Sequence, residues 1–134
     1  MPGVRGERSS IYEQLSPSNG GAVVANGVTP AGQQPIGPII LHVLSDPEPA
    51  WEAVNIAWYD TEHLAVKARL PGYLADRFFR RVGQASESGK FMAFYDLEGE
   101  WPLEMPRHAS DTDRQMYAHL TWLRTIYAQI SPPA

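Results

Sequence analysis

Apolar positions along the chain change spacing several times, and each spacing predicts a different element. Ile39-Ile40-Leu41-His42-Val43-Leu44 is a short continuous apolar run, which reads as a buried strand. Asp46-Pro47-Glu48-Pro49 ends it. Val54, Ile56 and Trp58 then share one face of an alternating stretch, and Asp60-Thr61-Glu62 supplies turn residues. Leu64, Val66, Ala68 and Leu70 alternate with Ala65, Lys67 and Arg69. Period two on both sides of a polar turn predicts a half-exposed β-hairpin, closed by Pro71-Gly72. From Tyr73 to about Ala85, Leu74, Phe78 and Val82 recur every fourth residue, with Arg77, Arg80 and Arg81 on the other side. That spacing predicts a helix.

Strand periodicity returns at Lys90. Phe91, Ala93, Tyr95 and Leu97 face one way; Met92, Phe94 and Asp96 face the other. Glu98-Gly99 turns the chain, and Glu100 to Met105 runs back as an edge strand, because Pro102 cannot donate to a ladder. Ser110 is placed to cap a final helix, with Asp111 and Asp113 in its first turn, where the helix dipole favours negative charge. Met116, Leu120, Leu123, Tyr127 and Ile130 continue it as a heptad seam to Pro132-Pro133.

Residues 1–38 have a different texture. Ser10 to Leu15 reads as a helical turn or two, after which Ser16-Pro17-Ser18-Asn19-Gly20-Gly21, Thr29-Pro30-Ala31-Gly32 and Gln34-Pro35-Ile36-Gly37-Pro38 resist regular structure. The expected organisation is a Pro/Gly-rich extended or flexible arm over 1–38 and an α+β domain over 39–134. The domain is expected to be an antiparallel sheet of about five strands, in the order α-βββ-α-ββ-α, with packed helices. One internal similarity, Ala57-Trp58-Tyr59-Asp60-Thr61-Glu62 with Ala93-Phe94-Tyr95-Asp96-Leu97-Glu98, suggests either a duplicated unit or two hairpins meeting the same turn requirements.

Composition narrows the chemistry. The 134 residues suffice for one domain and not two. A net charge of −4 lacks the basic footprint of a nucleic-acid binder and disfavours binding to anionic membranes by charge. The absence of cysteine removes disulfides, thiolate metal sites and thiol nucleophiles together. No segment has the apolar length to span a bilayer, and the first residues do not read as a signal peptide.

Candidate constellations are sparse. Asp60, Glu62, Asp96 and Glu98 would offer oxygen ligands to a divalent cation if two hairpin tips met, but the default reading is hairpin-turn chemistry with solvated acids. Of His42, His63, His108 and His119, only His108 with Asp111 and Asp113 offers a weak oxygen–nitrogen metal site, against the default of a loop histidine beside a helix start, and Glu62-His63 lacks the second histidine of a metalloprotease helix. The glycines form no phosphate cradle. Arg77, Arg80 and Arg81 fit one phosphate or an acidic partner segment, against the default of a solvated helix face. No catalytic residue, cofactor or metal is expected, and the chain is read as a non-enzyme.

The aromatic residues carry the functional expectation. Both faces of the Phe91–Leu97 strand are apolar, so the second face is covered by the arm or offered to a partner, unless a helix packs on each face of the sheet. Large aromatics and methionine are also the groups that carry interface energy. Trp58, Phe94, Trp101 and Trp122 are expected as core or interface anchors, and Tyr12 and Leu15 as the residues that dock the arm.

The stretch from Lys90 through Asp96-Leu97-Glu98-Gly99 to Met105, a strand, acidic turn and strand before the last helix, together with the expected element order, resembles the class I type III secretion chaperones and YbjN-like bacterial domains. That resemblance implies a small chaperone or adaptor, often dimeric, that binds a protein partner. The alternative is a structural subunit of a larger assembly, such as a bacteriophage head or tail component, whose arm orders against neighbours. The expected location is cytoplasmic, or the virion in the second case, and the expected partner is a protein, with homo-oligomerisation.

Overall fold

The computed structural model describes residues 10–25, 27–83, 89–99 and 110–130. Seven strands form one antiparallel sheet: β1 (Ile11–Ser16), β2 (Ala22–Val24), β3 (Gly27–Thr29), β4 (Ile39–Pro47), β5 (Tyr73–Val82), β6 (Phe91–Leu97) and β7 (Leu120–Ala128). Their order is β3-β2-β5-β6-β4-β7, and β1 pairs the remaining length of the β5 edge. Two helical bodies accompany it. The first runs from a short 3-10 turn (Pro49–Trp51) through α1 (Glu52–Trp58) and a π turn (Tyr59–His63) into α2 (Leu64–Ala68). The second is α3 (Asp111–Ala118). From β4 onward the chain reads β-α-β-β-α-β, the split β-α-β arrangement of ferredoxin-like folds.

The expected sheet of about five strands with three helices is therefore corrected to seven strands and two helical bodies, and the order α-βββ-α-ββ-α is not the order of this chain. The element order on which the chaperone resemblance was drawn goes with it. Two of the expected strands, β4 and β6, stand as read, and cross-strand register confirms that Phe91, Ala93, Tyr95 and Leu97 oppose Met92, Phe94 and Asp96.

Each misassignment has a local cause. The hairpin expected over 54–70 is helix. Pro49, with its preset φ, starts a helical turn, and Asn55, Trp58, Tyr59, His63, Leu64, Lys67 and Ala68 then form one buried stripe. The π turn adds a residue to that stripe, which blurs its 3.6 period into apparent alternation. Asp60-Thr61-Glu62 is not a turn, since Thr61 bonds back to the Ala57 carbonyl within the helix (2.7 Å). The Ala57–Glu62 and Ala93–Glu98 similarity consequently joins a helix to a strand and marks no duplicated unit.

The helix expected from Tyr73 is β5. Its fourfold stripe competed with strong β formers, and pairing to β6 over Tyr73–Arg80 decides for strand. A bulge between Tyr73 and Ala75 shifts the parity and hides the alternation. The long C-terminal helix breaks at His119. Ser110 does cap α3, accepting from the Asp113 amide at 3.1 Å, but Leu120-Thr121-Trp122-Leu123-Arg124-Thr125-Ile126-Tyr127-Ala128 pairs with β4 along its whole length. The expected helical turn at Ser10–Leu15 is β1. The strand expected at Glu100–Met105 lies outside the described residues.

The core sits between the helices and one face of the sheet. Leu41, Phe78, Phe91, Ala93, Tyr95 and Leu97 meet Trp58, Tyr59, Leu64 and Met116 there, and Tyr59 stacks on Phe78 at 3.7 Å. Gly37 locks the approach to β4. A Cβ there would lie 2.0 Å from the Leu97 carbonyl oxygen, so only glycine fits. No helix among the described residues is long and apolar enough to cross a membrane.

Candidate functional site

Because the helices pack on one face, the register of the strands identifies what occupies the other. Ile40, His42, Leu44 and Asp46 of β4 align with Met92, Phe94 and Asp96 of β6 and with Thr121, Leu123, Thr125 and Tyr127 of β7. Arg77, Phe79 and Arg81 of β5, and Tyr12 and Gln14 of β1, extend that face. Among the described residues no element covers it. Ile40, His42, Leu44, Phe79, Met92 and Phe94 are half-buried by their neighbours alone, while Leu123 and Tyr127 are 63% and 53% exposed. A basin of about 500 Å³ lies at its centre, lined by Ser10, Tyr12, His42, Leu44, Phe79 and Met92.

The charges of this face are balanced within it. The Arg77 guanidinium meets the Asp96 carboxylate at 2.5 Å and lies 5.0 Å over the Phe94 ring. Asp46 accepts the backbone amides of Gly89 (2.5 Å) and Lys90 (2.9 Å). Burial lowers the pKa of His42 below its usual value, so its ring is neutral at pH 7; it meets Tyr127 edge-on at 6.1 Å. Burial raises the Asp96 pKa, against the opposing pull of Arg77.

The opposite face carries a second feature, a polar cluster between sheet and helix. His63 stacks on Trp58 at 4.1 Å, and burial, reinforced by the Lys67 charge, holds its pKa down at about 3. Burial also pulls the Lys67 ammonium down to about 8 and pushes the Asp76 carboxyl up to about 8. Lys67 lies over the rings of Tyr73 (5.5 Å) and Tyr95 (5.9 Å). Both Asp76 oxygens are buried without a hydrogen-bond partner, which suits a neutral carboxyl rather than a carboxylate.

The residues singled out from sequence fall in different places. Phe94 lies on the uncovered face. Tyr12 lies there too, its hydroxyl donating to the Gly89 carbonyl at 2.8 Å. Leu15 packs against the edge of the core. Trp58 is buried under the helix, donating its indole N–H to Asp113 at 2.8 Å. Trp122 sits on the helix-side face of the edge strand β7, 47% exposed. Trp101 lies outside the described residues. Sequence reading missed His42, Leu44, Phe79, Leu123 and Tyr127 as members of one surface. The alternation of Leu123, Thr125 and Tyr127 was the available signal, masked by the heptad spacing.

The four carboxylates expected at hairpin tips are not brought together. Asp60 accepts from the Ser16 hydroxyl (2.5 Å), Glu62 accepts from Ser110 (2.8 Å), and Asp96 is held by Arg77. Among the described residues no group of three or more histidine or acidic side chains is placed to hold a metal. Neither a family model, a curated protein nor a solved structure matches this chain.

Proposed function

We propose that this protein acts by protein–protein contact through the uncovered sheet face, and that a second copy of the chain is its first occupant. The observation that supports this is a largely apolar face on five strands with no second layer over it among the described residues. Five strands spaced ~4.8 Å and six to ten residues long give a projected face on the order of 650 Å², close to the ~800 Å² each partner contributes to a standard interface. Two such faces stack ~10 Å apart in a sheet-on-sheet core.

Charge favours a copy over a strongly charged partner. The ionisable groups on the face are Asp46 and Asp96 against Arg77 and Arg81, with His42 neutral at pH 7. A face without net charge meets itself without like-charge repulsion. The role is an adaptor or assembly subunit and not a catalyst, in keeping with the chemistry expected from composition.

Met92→Lys tests this reading. It places a charge at the rim of the central basin while leaving the core face of β6 untouched. The variant is expected to fold with unchanged far-UV dichroism and to sediment as a monomer where the parent sediments as a dimer. Unchanged association in Met92→Lys would show that this face is not the contact. Association that appears only when a different protein is added would assign the face to a heterologous partner.

A further inference from the structure

We propose that β7 is a pairing edge: two copies of the chain join β7 to β7 antiparallel, with Thr125 on the two-fold axis, and continue the sheet across the contact. β7 closes the strand order, and among the described residues no strand lies beyond it. The register fixes which backbone groups that edge presents. The Gln129 amide donates to the Pro38 carbonyl and the Glu48 amide to the His119 carbonyl, each at 2.8 Å, so the odd-numbered residues of β7 exchange hydrogen bonds with β4. Leu120, Trp122, Ile126 and Ala128 therefore aim their amides and carbonyls away from the sheet, along a strand nine residues long. Nothing in β7 blunts this edge. Proteins keep an edge unpaired with proline, lysine, a bulge or a very short strand. Leu120-Thr121-Trp122-Leu123-Arg124-Thr125-Ile126-Tyr127-Ala128 has no proline or lysine and runs along β4 without a register shift.

The occupant is a second copy because the strand is complementary to its own reverse. With Thr125 on the axis, Leu123 of one copy faces Tyr127 of the other on the uncovered side of the sheet, twice over, and these side chains are 63% and 53% exposed in the single chain. On the helix side the half-exposed Trp122 faces the small Ala128 of the second copy, and Arg124 faces Ile126. Leu120 meets the exposed Ile130 at either end. Arg124 is the only charged residue of β7. An axis through Arg124 would set two guanidinium groups directly opposite each other, which is destabilising. An axis through Leu123 would leave Tyr127 opposite His119, where the strand has ended. The axis of the edge pair stands normal to the sheet, whereas the axis relating two stacked faces lies between them, so one chain can make both contacts. A single edge buries less apolar surface than a five-strand face. It is the weaker contact, filled above the micromolar concentrations at which the faces pair, and it holds whether or not they do.

The chain has no cysteine, so single introduced cysteines report the contact. Opposed Cα atoms in a non-hydrogen-bonded antiparallel pair lie ~4.5 Å apart, within the ~4.4–6.8 Å a disulfide spans, and stacked faces at ~10 Å do not. Thr125→Cys is expected to form a disulfide-linked dimer under mild oxidation, read on non-reducing gels. It should do so about tenfold or more faster than Thr121→Cys, which lies on the same side of the same edge but stands ~27 Å from its copy in this register. The rate should be unchanged when Met92→Lys is added, which separates the edge from the face. Mixed Leu123→Cys and Tyr127→Cys chains are expected to form the mixed dimer in preference to either homodimer, and this decides the matter if Thr125→Cys does not fold. Equal rates at Thr125 and Thr121, cross-linking at Thr125 that is lost with Met92→Lys, or Leu123→Cys homodimers that outrun the mixed pair would overturn the proposal.

Discussion

Replacing Asp76 with asparagine isolates the energetic role of the polar cluster under the helix. Asp76 is fully buried on β5, with its carboxyl oxygens unpartnered, and burial raises its pKa from 3.8 to about 8. A raised carboxyl pKa means that the folded chain holds a proton which the unfolded chain releases. Its contribution is therefore fully present below pH 3.8 and is lost as pH rises from there towards 8. Each pH unit in that window removes about 1.4 kcal/mol, so about 4 kcal/mol is lost by neutral pH. His63 works in the opposite direction. Its pKa is held at about 3 against an ordinary 6.5, so stability falls as the solution is acidified through that window. In the parent the two slopes offset one another between about pH 4 and 6.5, and the Asp76 decline stands alone from there to 8. Asp76→Asn removes only the carboxyl. Urea denaturation followed by tryptophan fluorescence at half-unit intervals from pH 4 to 8 measures the difference directly. The gain of the variant over the parent should grow with pH, reaching about 1–3 kcal/mol at pH 7 once the cost of a buried amide is deducted. Two profiles that stay parallel across the window would refute a protonated Asp76.

Two further outcomes follow from the geometry. Gly37→Ala should cost several kcal/mol, because its Cβ would meet the Leu97 backbone at 2.0 Å and a rigid backbone can give way only by moving β4 from β6; thermal melting by circular dichroism reads this, and a melting point within a degree of the parent would contradict it. Acidification should weaken self-association. His42 is neutral at pH 7 because burial lowers its pKa, so its protonation on acidification places like charges on both faces. Sedimentation velocity at pH 7 and pH 4.5 should show the dimer population falling, and His42→Asn should remove that dependence.

The parts of the fold legible in the sequence were those set by one strong local pattern. The Ile39–Leu44 run and the two-sided alternation of Phe91–Leu97 named β4 and β6 and assigned their faces, and Ser110 with Asp111 and Asp113 announced a helix start. What failed were segments where two periods coexisted. Trp58, Tyr59, His63 and Leu64 follow a helical stripe interrupted by a π turn, and no local signal marks the extra residue. The bulge after Tyr73 hid the alternation of Asp76, Phe78 and Arg80. At Leu120–Ala128 the heptad spacing and the β-branched, aromatic composition pointed in different directions, and pairing with β4 settled it. The uncovered face was anticipated in principle from Met92 and Phe94, yet its membership depended on β5 and β7 being strands. The polar cluster of His63, Lys67 and Asp76 was not legible, because it joins a helix read as a hairpin to a strand read as a helix.

Multi-angle light scattering of the full chain across a concentration series at pH 7 addresses the central claim most directly. The uncovered sheet face predicts twice the chain mass at micromolar concentrations, reverting to the chain mass on dilution or in Met92→Lys. The chain mass at every concentration, with no partner added, would contradict self-association through this face.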